Sequence, residues 1–279
     1  MLKKGLAVKF IGLIVAMMMG TFLTVAQSEK EVEADTLVAQ QDYAGALSLY
    51  NKIIEKSKPQ TEEEYQVYYK RAVCHYSLEN FEDALKDVNI LIEKYPQPQA
   101  KLLRAYIYQE LENYEAQLED LNELLSLNPD SQELIQWRAS VLMEMGKYAD
   151  AQKDIRKVLV SQSSPELKSY LGLTYYYLDN PDSALIIFDE VIKESPDFPQ
   201  PYLYAASLCL DESAYELALA YIDNGLKVEP SNLSFLFYKG IGLVETGKKE
   251  EGCRCLTKAF QAGIDDVADY LKEYCYSNE

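Results

Sequence analysis

Apolar and polar positions recur along this chain with a period of about 34 residues. One position, usually aromatic, returns at intervals of 38, 33, 34, 33, 34 and 34 residues, and we use it as the anchor of each repeat. The anchors are Tyr43, Phe81, Tyr114, Tyr148, Pro181, Tyr215 and Lys249. Because a period of this length is typical of stacked repeats, the pattern predicts a repeat array rather than one closed globule.

Small side chains stand at two fixed distances from the anchor. Nine residues before it come Ala34, Ala72, Ala105, Ala139, Gly172, Ala206 and Gly240. Three residues after it the side chain is small in six of seven copies, the exception being Gln117. Two small residues on two antiparallel helices allow the backbones to cross closely. The spacing therefore predicts a tightly packed helical hairpin in each repeat.

The second helix of each hairpin has an apolar stripe and defined ends. Large apolar residues stand seven and ten positions after most anchors, as in Val88 with Leu91, which is the spacing of one helix face. A proline fifteen positions after four of the anchors is expected to end that helix. Short breakers such as Glu79-Asn80 and Gly146-Lys147 predict a tight turn between the two helices.

At these residues the chain resembles the tetratricopeptide repeat (TPR) family, over about residues 27–263. The resemblance implies an all-α solenoid, in which stacked hairpins form a right-handed superhelix and the first helices line a concave surface. The chain departs from the family pattern at Gln117 and Lys249, and the family's aromatic residue early in the first helix is kept only as Tyr68 and Tyr202. Residues 264–279 are expected to form a capping helix and tail. Val267, Tyr270, Leu271 and Tyr274 are predicted on the covered side of that helix.

The first 26 residues have the pattern of a signal peptide. Lys3, Lys4 and Lys9 precede an apolar run from Phe10 to Ala26, which ends in small residues. We expect cleavage after about Ala26 and export, with the periplasm as the predicted location. The alternatives are secretion, or retention of this segment as an N-terminal anchor, because the run is near the short limit of a membrane span.

Charge restricts the classes of partner. Cleavage would remove three lysines and no acidic residue, so the net charge would move from −18 to −21. Nucleic acids and anionic membranes repel such a chain, so neither is expected as a partner, and a membrane contact is expected only if the N-terminal segment is retained.

The cysteine count is odd, so at least one of the five thiols is expected to be free or paired between chains. Cys74 and Cys209 are predicted to be buried among apolar helix residues. A disulfide from Cys253 or Cys255 to Cys275 is one way to fasten the last helix.

Three repeats share a charged pair that the other four lack together. Arg71, Arg104 and Arg138 stand ten residues before their anchors, and the same repeats have Asp87, Asp120 and Asp154 six residues after. Joint presence and joint absence predict three bridges, each joining the two helices of a hairpin. The alternative is that the partner of each arginine lies in an adjacent repeat.

No catalytic constellation is recognisable. His75 is the only histidine, and it falls on a predicted core stripe, so we interpret it as a satisfied packing residue. No Cys/His spacing resembles a metal site, and no glycine-rich loop resembles a phosphate cradle. The sequence therefore favours a protein that is not an enzyme, with no cofactor, no metal and no small-molecule substrate.

The candidate site is the groove that the resemblance implies. Aromatic residues on and beside the inward stripe of the first helices predict a peptide-binding surface, because tyrosine and tryptophan offer large contact areas with polar tips. These residues are Tyr69, Tyr76, Tyr106, Trp137, Tyr170, Tyr176, Tyr177, Tyr204 and Phe237. The alternative interpretation is that they pack between helices. Only Lys70 lies near the stripe, so recognition of a terminal carboxylate is not expected, and a segment with apolar and basic residues suits this surface better.

Two functions are compatible with these features of the sequence. The first is a non-enzymatic scaffold of the cell envelope that binds a protein or peptide along an aromatic concave groove. The second is a permanent structural subunit of an envelope or secretion assembly, docking through its convex face or its C-terminal cap.

Overall fold

A computed structural model describes residues 29–56 and 59–276, so the predicted signal peptide, residues 1–26, lies outside the described residues. The described part contains fifteen α-helices and a π-helical turn and no strand. The helices are α1 (Glu29–Ala39), α2 (Tyr43–Lys56), α3 (Glu62–Ser77), α4 (Phe81–Lys94), α5 (Pro98–Glu110), α6 (Tyr114–Leu127), α7 (Gln132–Glu144), α8 (Tyr148–Leu159), α9 (Pro165–Tyr177), α10 (Pro181–Glu194), α11 (Gln200–Asp211), α12 (Tyr215–Val228), α13 (Leu233–Glu245), α14 (Lys249–Gln261) and α15 (Val267–Tyr270).

The chain forms two compact units, which divide between Leu134 and Ile135, inside α7. Hairpins α1–α2, α3–α4 and α5–α6 belong to unit 1, and hairpins α7–α8, α9–α10, α11–α12 and α13–α14 belong to unit 2. In both units a first helix packs against its own second helix and against the second helix of the hairpin before it, as α3 does with α4 and α2. The predicted all-α stack of hairpins is confirmed. No helix among the described residues has both the length and the apolar content needed to cross a bilayer.

Every anchor is the first residue of a second helix, from Tyr43 of α2 to Lys249 of α14. The predicted spacing of small residues is also confirmed, because the residues nine before and three after each anchor are buried in all seven hairpins. In the last hairpin a Cβ on Gly252 would lie 2.7 Å from the carbonyl oxygen of Gly240. Glycine is therefore required at this crossing, since any side chain would push the two helices apart.

The residue seven positions after the anchor is the centre of each hairpin core. It is Tyr50, Val88, Leu121, Ile155, Phe188, Ile222 or Leu256, and none of these side chains is more than 1% exposed. Its size varies with its neighbours. A Cβ on Gly172 would lie 2.4 Å from the Phe188 ring. Phe188, the largest of these residues in unit 2, therefore fills the space that glycine leaves at position 172. The predicted apolar stripe of the second helices is confirmed.

The turn inside every hairpin uses the same backbone geometry. The residue two positions before the anchor has a positive φ in all seven hairpins, at Gln41, Glu79, Glu112, Gly146, Asp179, Ser213 and Gly247. The next amide donates to a carbonyl five residues earlier, as Asn80 does to His75 at 2.9 Å, which closes the end of the first helix. Only two of the seven left-handed residues are glycine. The other five accept a strained conformation at the turn.

The three predicted Arg-Asp bridges are present, each with two hydrogen bonds. Nε and Nη2 of Arg104 donate to the two carboxylate oxygens of Asp120 at 2.8 and 2.6 Å, and Arg71 and Arg138 bind Asp87 and Asp154 in the same way. A paired guanidinium and carboxylate of this kind form a strong, oriented contact. The three aspartates are buried, so the bridges fasten the interior of their hairpins.

Polar contacts between successive hairpins involve the position eight residues after the anchor. In unit 1, Arg71 Nη1 donates to Asn51 at 2.9 Å, and Arg104 Nη1 donates to Asn89 at 2.8 Å. In two hairpins of unit 2 the same position is acidic, and Asp189 accepts from Tyr221 at 2.7 Å while Asp223 accepts from Lys239 at 2.6 Å. The predicted aspartate partner inside the hairpin is confirmed, and Arg71 and Arg104 also bind an asparagine of the hairpin before.

A disulfide joins Cys253 of α14 to Cys275, with Cα atoms 5.7 Å apart. Of the two pairings expected from sequence, the one with Cys253 is present, and Cys74, Cys209 and Cys255 are free thiols. Cys74 and Cys209 are buried, as predicted. The cap is shorter and less regular than predicted, because α15 has one turn and continues as a π-helical turn over Leu271–Cys275. Val267 and Leu271 bury the covered side of this segment.

We expect substitution of Gly252 by alanine to lower the free energy of unfolding by more than about 2 kcal/mol, because its Cβ overlaps backbone as well as side chains. Gly247→Ala is the matched control, since its Cβ meets nothing within 4 Å but its φ is +80°. The free energy of unfolding of that variant should fall by only about 1 kcal/mol, which is the cost of placing alanine in the left-handed conformation. Urea denaturation of both variants measures the difference, and equal losses would contradict the close crossing.

Removal of one partner from a buried bridge is expected to destabilise the protein strongly. Asp120→Ala leaves Arg104 unpaired in a largely buried site and should cost about 3 kcal/mol. Asp150→Ala removes the same charge from an exposed pair with Lys153 and should change stability far less, because solvent screens an exposed ion pair. Thermal and urea unfolding compare the two, and similar small losses would show that the Arg-Asp bridge does not stabilise its hairpin.

Candidate functional site

The three predicted site tyrosines of unit 1 are mostly covered. Tyr76 and Tyr106 are only 7% and 6% exposed, and Tyr76 packs edge-on against Phe81 with ring centroids 5.6 Å apart. Tyr69 is half-buried by exposed area, and burial raises its pKa to about 12. Side chains so covered offer little area to a partner. In unit 1 the packing interpretation fits the burial of Tyr76 and Tyr106.

Lys70, the basic residue near the predicted groove, is bound to the first hairpin. Its Nζ lies 2.8 Å from Glu31 and 2.7 Å from Asp35, and its side chain is 11% exposed. Asp35 also accepts from the hydroxyl of Tyr50, which lies in the core of the first hairpin. The lysine charge is therefore compensated inside the protein, where it couples α3 to α1.

Unit 2 brings five tyrosines together on the first-helix side. The rings of Tyr148 and Tyr177 stack with centroids 4.4 Å apart and an angle of 12° between their planes. Tyr170, Tyr204 and Tyr238 come from α9, α11 and α13, and all three are half-buried. We call Tyr148, Tyr170, Tyr177, Tyr204 and Tyr238 the tyrosine cluster. Tyr177 is its most open member, with 51% of the residue exposed.

Neighbouring phenols contribute to the raised pKa of two members of the cluster. Burial raises the pKa of Tyr204, and the phenols of Tyr170, Tyr177 and Tyr238 add to that rise. Burial is also the main cause of the raised pKa of Tyr177, followed by the neighbouring Tyr148 and Tyr238. The hydroxyl groups of Tyr177 and Tyr204 therefore stay protonated at neutral pH, and these two side chains present uncharged rings with polar tips.

The other predicted site residues lie around the cluster. Tyr176 is tilted against Tyr177 with centroids 5.2 Å apart, and its hydroxyl donates to the carboxylate of Asp211. Trp137 is half-buried on α7. Phe237 packs against Tyr238 and, edge-on at 5.3 Å, against Tyr270 of the cap. The cap therefore covers part of the first-helix surface of the last hairpin.

Carboxylates on the first helices are part of this surface, although the predicted site residues did not include them. Four residues before the anchor, at the position of Tyr177, unit 2 also has Glu144, Asp211 and Glu245, all exposed. The signal was present in the sequence, because these carboxylates have the same spacing from their anchors as Tyr177, a predicted site residue. The surface is therefore acidic as well as aromatic.

The structure gives no support to metal or acid-base chemistry among the residues it describes. Those residues contain no group of three or more His, Cys, Asp or Glu side chains that could hold a metal ion. Burial lowers the pKa of His75, so its imidazole is neutral at physiological pH. Its Nδ1 is buried without a hydrogen-bond partner in the described structure, so the interpretation of a satisfied packing histidine was wrong on that point.

Comparison with protein families agrees with this architecture. A tetratricopeptide repeat model matches residues 32–97, 69–132 and 138–199, which together are more than half of the chain. The chain belongs to the tetratricopeptide repeat family. TPR proteins generally bind protein or peptide partners, and their fold is typically a non-enzymatic scaffold.

Solved TPR structures share the fold at low sequence identity. A TPR protein from Parabacteroides merdae is 21% identical with a TM-score of 0.66, and the match covers 88% of this chain and 96% of that one. The C-terminal part of a TPR protein from Cytophaga hutchinsonii is 18% identical with a TM-score of 0.63, over 86% of this chain and 98% of that one. At these identities the likeness shows the TPR fold alone.

A curated relative matches a shorter stretch. The intraflagellar transport protein 56 homolog of Caenorhabditis elegans is 33% identical over 75 residues, which are 27% of this chain. The match spans only 13% of that protein's length. So short a match carries no information about a common partner.

The raised pKa of Tyr69 in unit 1 predicts a loss of stability at alkaline pH. Tyr69 has a pKa of about 12 in the folded chain against about 10 when unfolded, so the unfolded state loses its proton first. The stability that this shift contributes is complete below pH 10 and is lost as the pH rises towards 12. Tyr69→Phe should flatten that decline in urea unfolding measured between pH 9 and 11.5. Tyr276→Phe, at a residue that is 67% exposed, is the control, and an identical effect of the two changes would contradict the assignment.

Proposed function

We propose that this TPR protein is a non-enzymatic scaffold that binds a protein or peptide along the first-helix surface of unit 2. The observation that carries the proposal is the tyrosine cluster, in which Tyr148 stacks on Tyr177 and three successive first helices each supply a half-buried tyrosine on a face that also has exposed carboxylates. Partly exposed tyrosines supply contact area with hydrogen-bonding tips, which suits recognition of a peptide. The buried tyrosines of unit 1 make that unit a less open surface.

Binding of this kind adds modest contributions from several hairpins. Each first helix supplies one or two side chains, so affinity depends on how many hairpins the partner spans. Side chains fixed by packing lose little further freedom on binding. The stacking of Tyr148 on Tyr177 and the contact of Phe188 with Tyr204, with centroids 5.8 Å apart, orient the rings before a partner arrives.

We also propose that the protein is exported and works in the cell envelope, in the periplasm. The signal-like pattern of residues 1–26 supports this proposal. A second support is the Cys253–Cys275 disulfide, because such bonds persist in oxidising compartments and are rare in the cytosol.

A second candidate function is a permanent subunit of an envelope or secretion assembly. The observation in its favour is exposed apolar area away from the tyrosine cluster, at Ile186 and Leu217 of the second helices and at Phe260 near the cap. These residues are 59%, 46% and 45% exposed. Single exposed apolar side chains are common on protein surfaces, so the tyrosine cluster remains the stronger argument.

Affinity capture with matched variants tests the scaffold proposal. The unchanged protein should capture its partners from an envelope extract. The double variant Tyr176→Ala with Tyr177→Ala should capture at least about tenfold less of each partner, because contact residues at an interface centre carry most of the affinity. Ile186→Ala with Leu217→Ala and, separately, Phe260→Ala are the controls. Circular dichroism confirms that each variant is folded.

The pattern of loss distinguishes the two functions. Partners lost only with the tyrosine variant support the scaffold, while partners lost only with the second-helix or cap variants support the structural subunit. Mass spectrometry of the captured bait also reads its mature N-terminus. A start near Gln27 is expected, and a chain that retains residues 1–26 in the soluble fraction would contradict export.

A further inference from the structure

Aromatic residues form a register in unit 2 that unit 1 lacks. Eleven residues before the anchor, the four hairpins of unit 2 have Trp137, Tyr170, Tyr204 and Tyr238. The corresponding residues of unit 1 are Val32, Lys70 and Leu103. Four residues before the anchor, unit 2 has Glu144, Tyr177, Asp211 and Glu245. The first of these positions is aromatic in unit 2 only, and the second has three carboxylates in unit 2 and one, Glu110, in unit 1.

The two positions share one helix face. They are seven residues apart, which is close to two turns of an α-helix, so both side chains point the same way. The first helices α9, α11 and α13 pack against one another in order. Their faces therefore combine into two rows, one of rings and one that is mainly carboxylates.

Rings and carboxylates are close enough to influence each other. Burial raises the pKa of Tyr170, and the charges of Glu166 and Glu144 add to that rise. Tyr176 donates to Asp211, and Tyr177 stacks on Tyr148 beside it. A surface on which uncharged rings alternate with negative groups suits a positively charged side chain, which can stack on a ring and pair with a carboxylate.

The protein's own cations do not neutralise this surface. The basic residues of α9 and α13 are Lys168 and Lys239, which pair with Glu194 at 2.5 Å and with Asp223 at 2.6 Å, both on second helices. Helix α11 contains no lysine or arginine, and the turns that follow α9 and α11 contain none. The first-helix faces of α9 and α11 therefore keep their negative charge available, while in the last hairpin Lys248 follows Glu245 in the turn after α13.

We infer that the face of α9, α11 and α13 recognises an extended, basic peptide segment, whose arginine or lysine side chains stack on Tyr170, Tyr204 and Tyr238 and pair with Asp211 and Glu245. This inference rests on the proposed scaffold function and names the chemistry of its partner. The charge complementarity is global as well as local, since the chain has a net charge of −18. Such complementarity also speeds association.

The spacing of the helices defines the spacing of the basic residues. Packed helices lie roughly 8–10 Å apart, and an extended chain advances about 3.3 Å per residue. One residue in three of an extended peptide that runs across the first helices therefore meets the next ring. A basic residue at every third position is the expected pattern.

The test uses a synthetic probe, a fluorescein-labelled peptide with four repeats of Arg-Ser-Ala. Fluorescence anisotropy at low salt should show saturable binding to the mature chain. A peptide with citrulline in place of arginine keeps the shape and hydrogen bonding of the side chain without its charge. We expect the citrulline peptide to bind at least tenfold more weakly, and a peptide with the same composition in scrambled order to bind at least threefold more weakly.

Matched variants locate the binding surface. Tyr177→Ala, at the most exposed ring, should weaken binding of the arginine peptide at least fivefold. The triple variant Glu144→Gln, Asp211→Asn and Glu245→Gln should weaken it at least tenfold and reduce its dependence on salt. The control triple Glu190→Gln, Glu216→Gln and Glu250→Gln removes the same charge from exposed positions of second helices. It should stay within twofold of the unchanged protein.

Two results would overturn the inference. One is equal binding of the arginine and citrulline peptides, and the other is equal weakening by the two charge-removing triples, which would reveal unspecific attraction to an acidic protein. Failure of this inference is separable from failure of the scaffold function. Partners captured through Tyr176 and Tyr177 that lack a basic segment would leave the scaffold standing while the basic-peptide inference fails.

Discussion

Close contact between two helices at small residues is the constraint on which each hairpin depends. The anchor begins the second helix, and the small residues nine before and three after it let the backbones meet, as Gly240 and Gly252 do in the last hairpin. A large residue seven positions after the anchor then fills the space above the crossing. A single hairpin still leaves apolar area uncovered, so the next first helix must pack upon it. The hairpins therefore stack because each one covers the apolar area that the hairpin before it leaves exposed.

Most of the helical architecture could be predicted because its signals are local and repeated seven times. Anchor positions, small residues, the apolar stripe and the Arg-Asp bridges each depend on spacing within one hairpin. Contacts between hairpins were harder to predict. Helical spacing placed Tyr76 and Tyr106 on the inward stripe, but neighbouring side chains cover both. The buried Nδ1 of His75 is likewise a result of tertiary packing that no spacing reveals.

The aromatic residues of the candidate site could be predicted from the sequence, but the contacts between their rings could not. Spacing identified Tyr170, Tyr177 and Tyr204, but only coordinates show that Tyr148, an anchor, stacks on Tyr177. The sequence favoured a partner with basic residues, but Glu144, Asp211 and Glu245 were not among the predicted site residues. The two units differ in how their first-helix charges are compensated. In unit 1, Lys70 pairs with the nearby Glu31, whereas Glu144 and Glu245 of unit 2 are exposed.

The disulfide between Cys253 and Cys275 changes which end of the array is weakest. Repeat arrays fray from their termini, because a terminal hairpin has one neighbour instead of two. A covalent link across 22 residues holds the cap to α14, so local opening at that end must strain a closed loop. The first hairpin has no such link among the described residues. Local opening, and with it proteolysis or forced unfolding, should therefore begin more easily at α1 than at the cap. A reducing agent would remove this difference between the two hairpins.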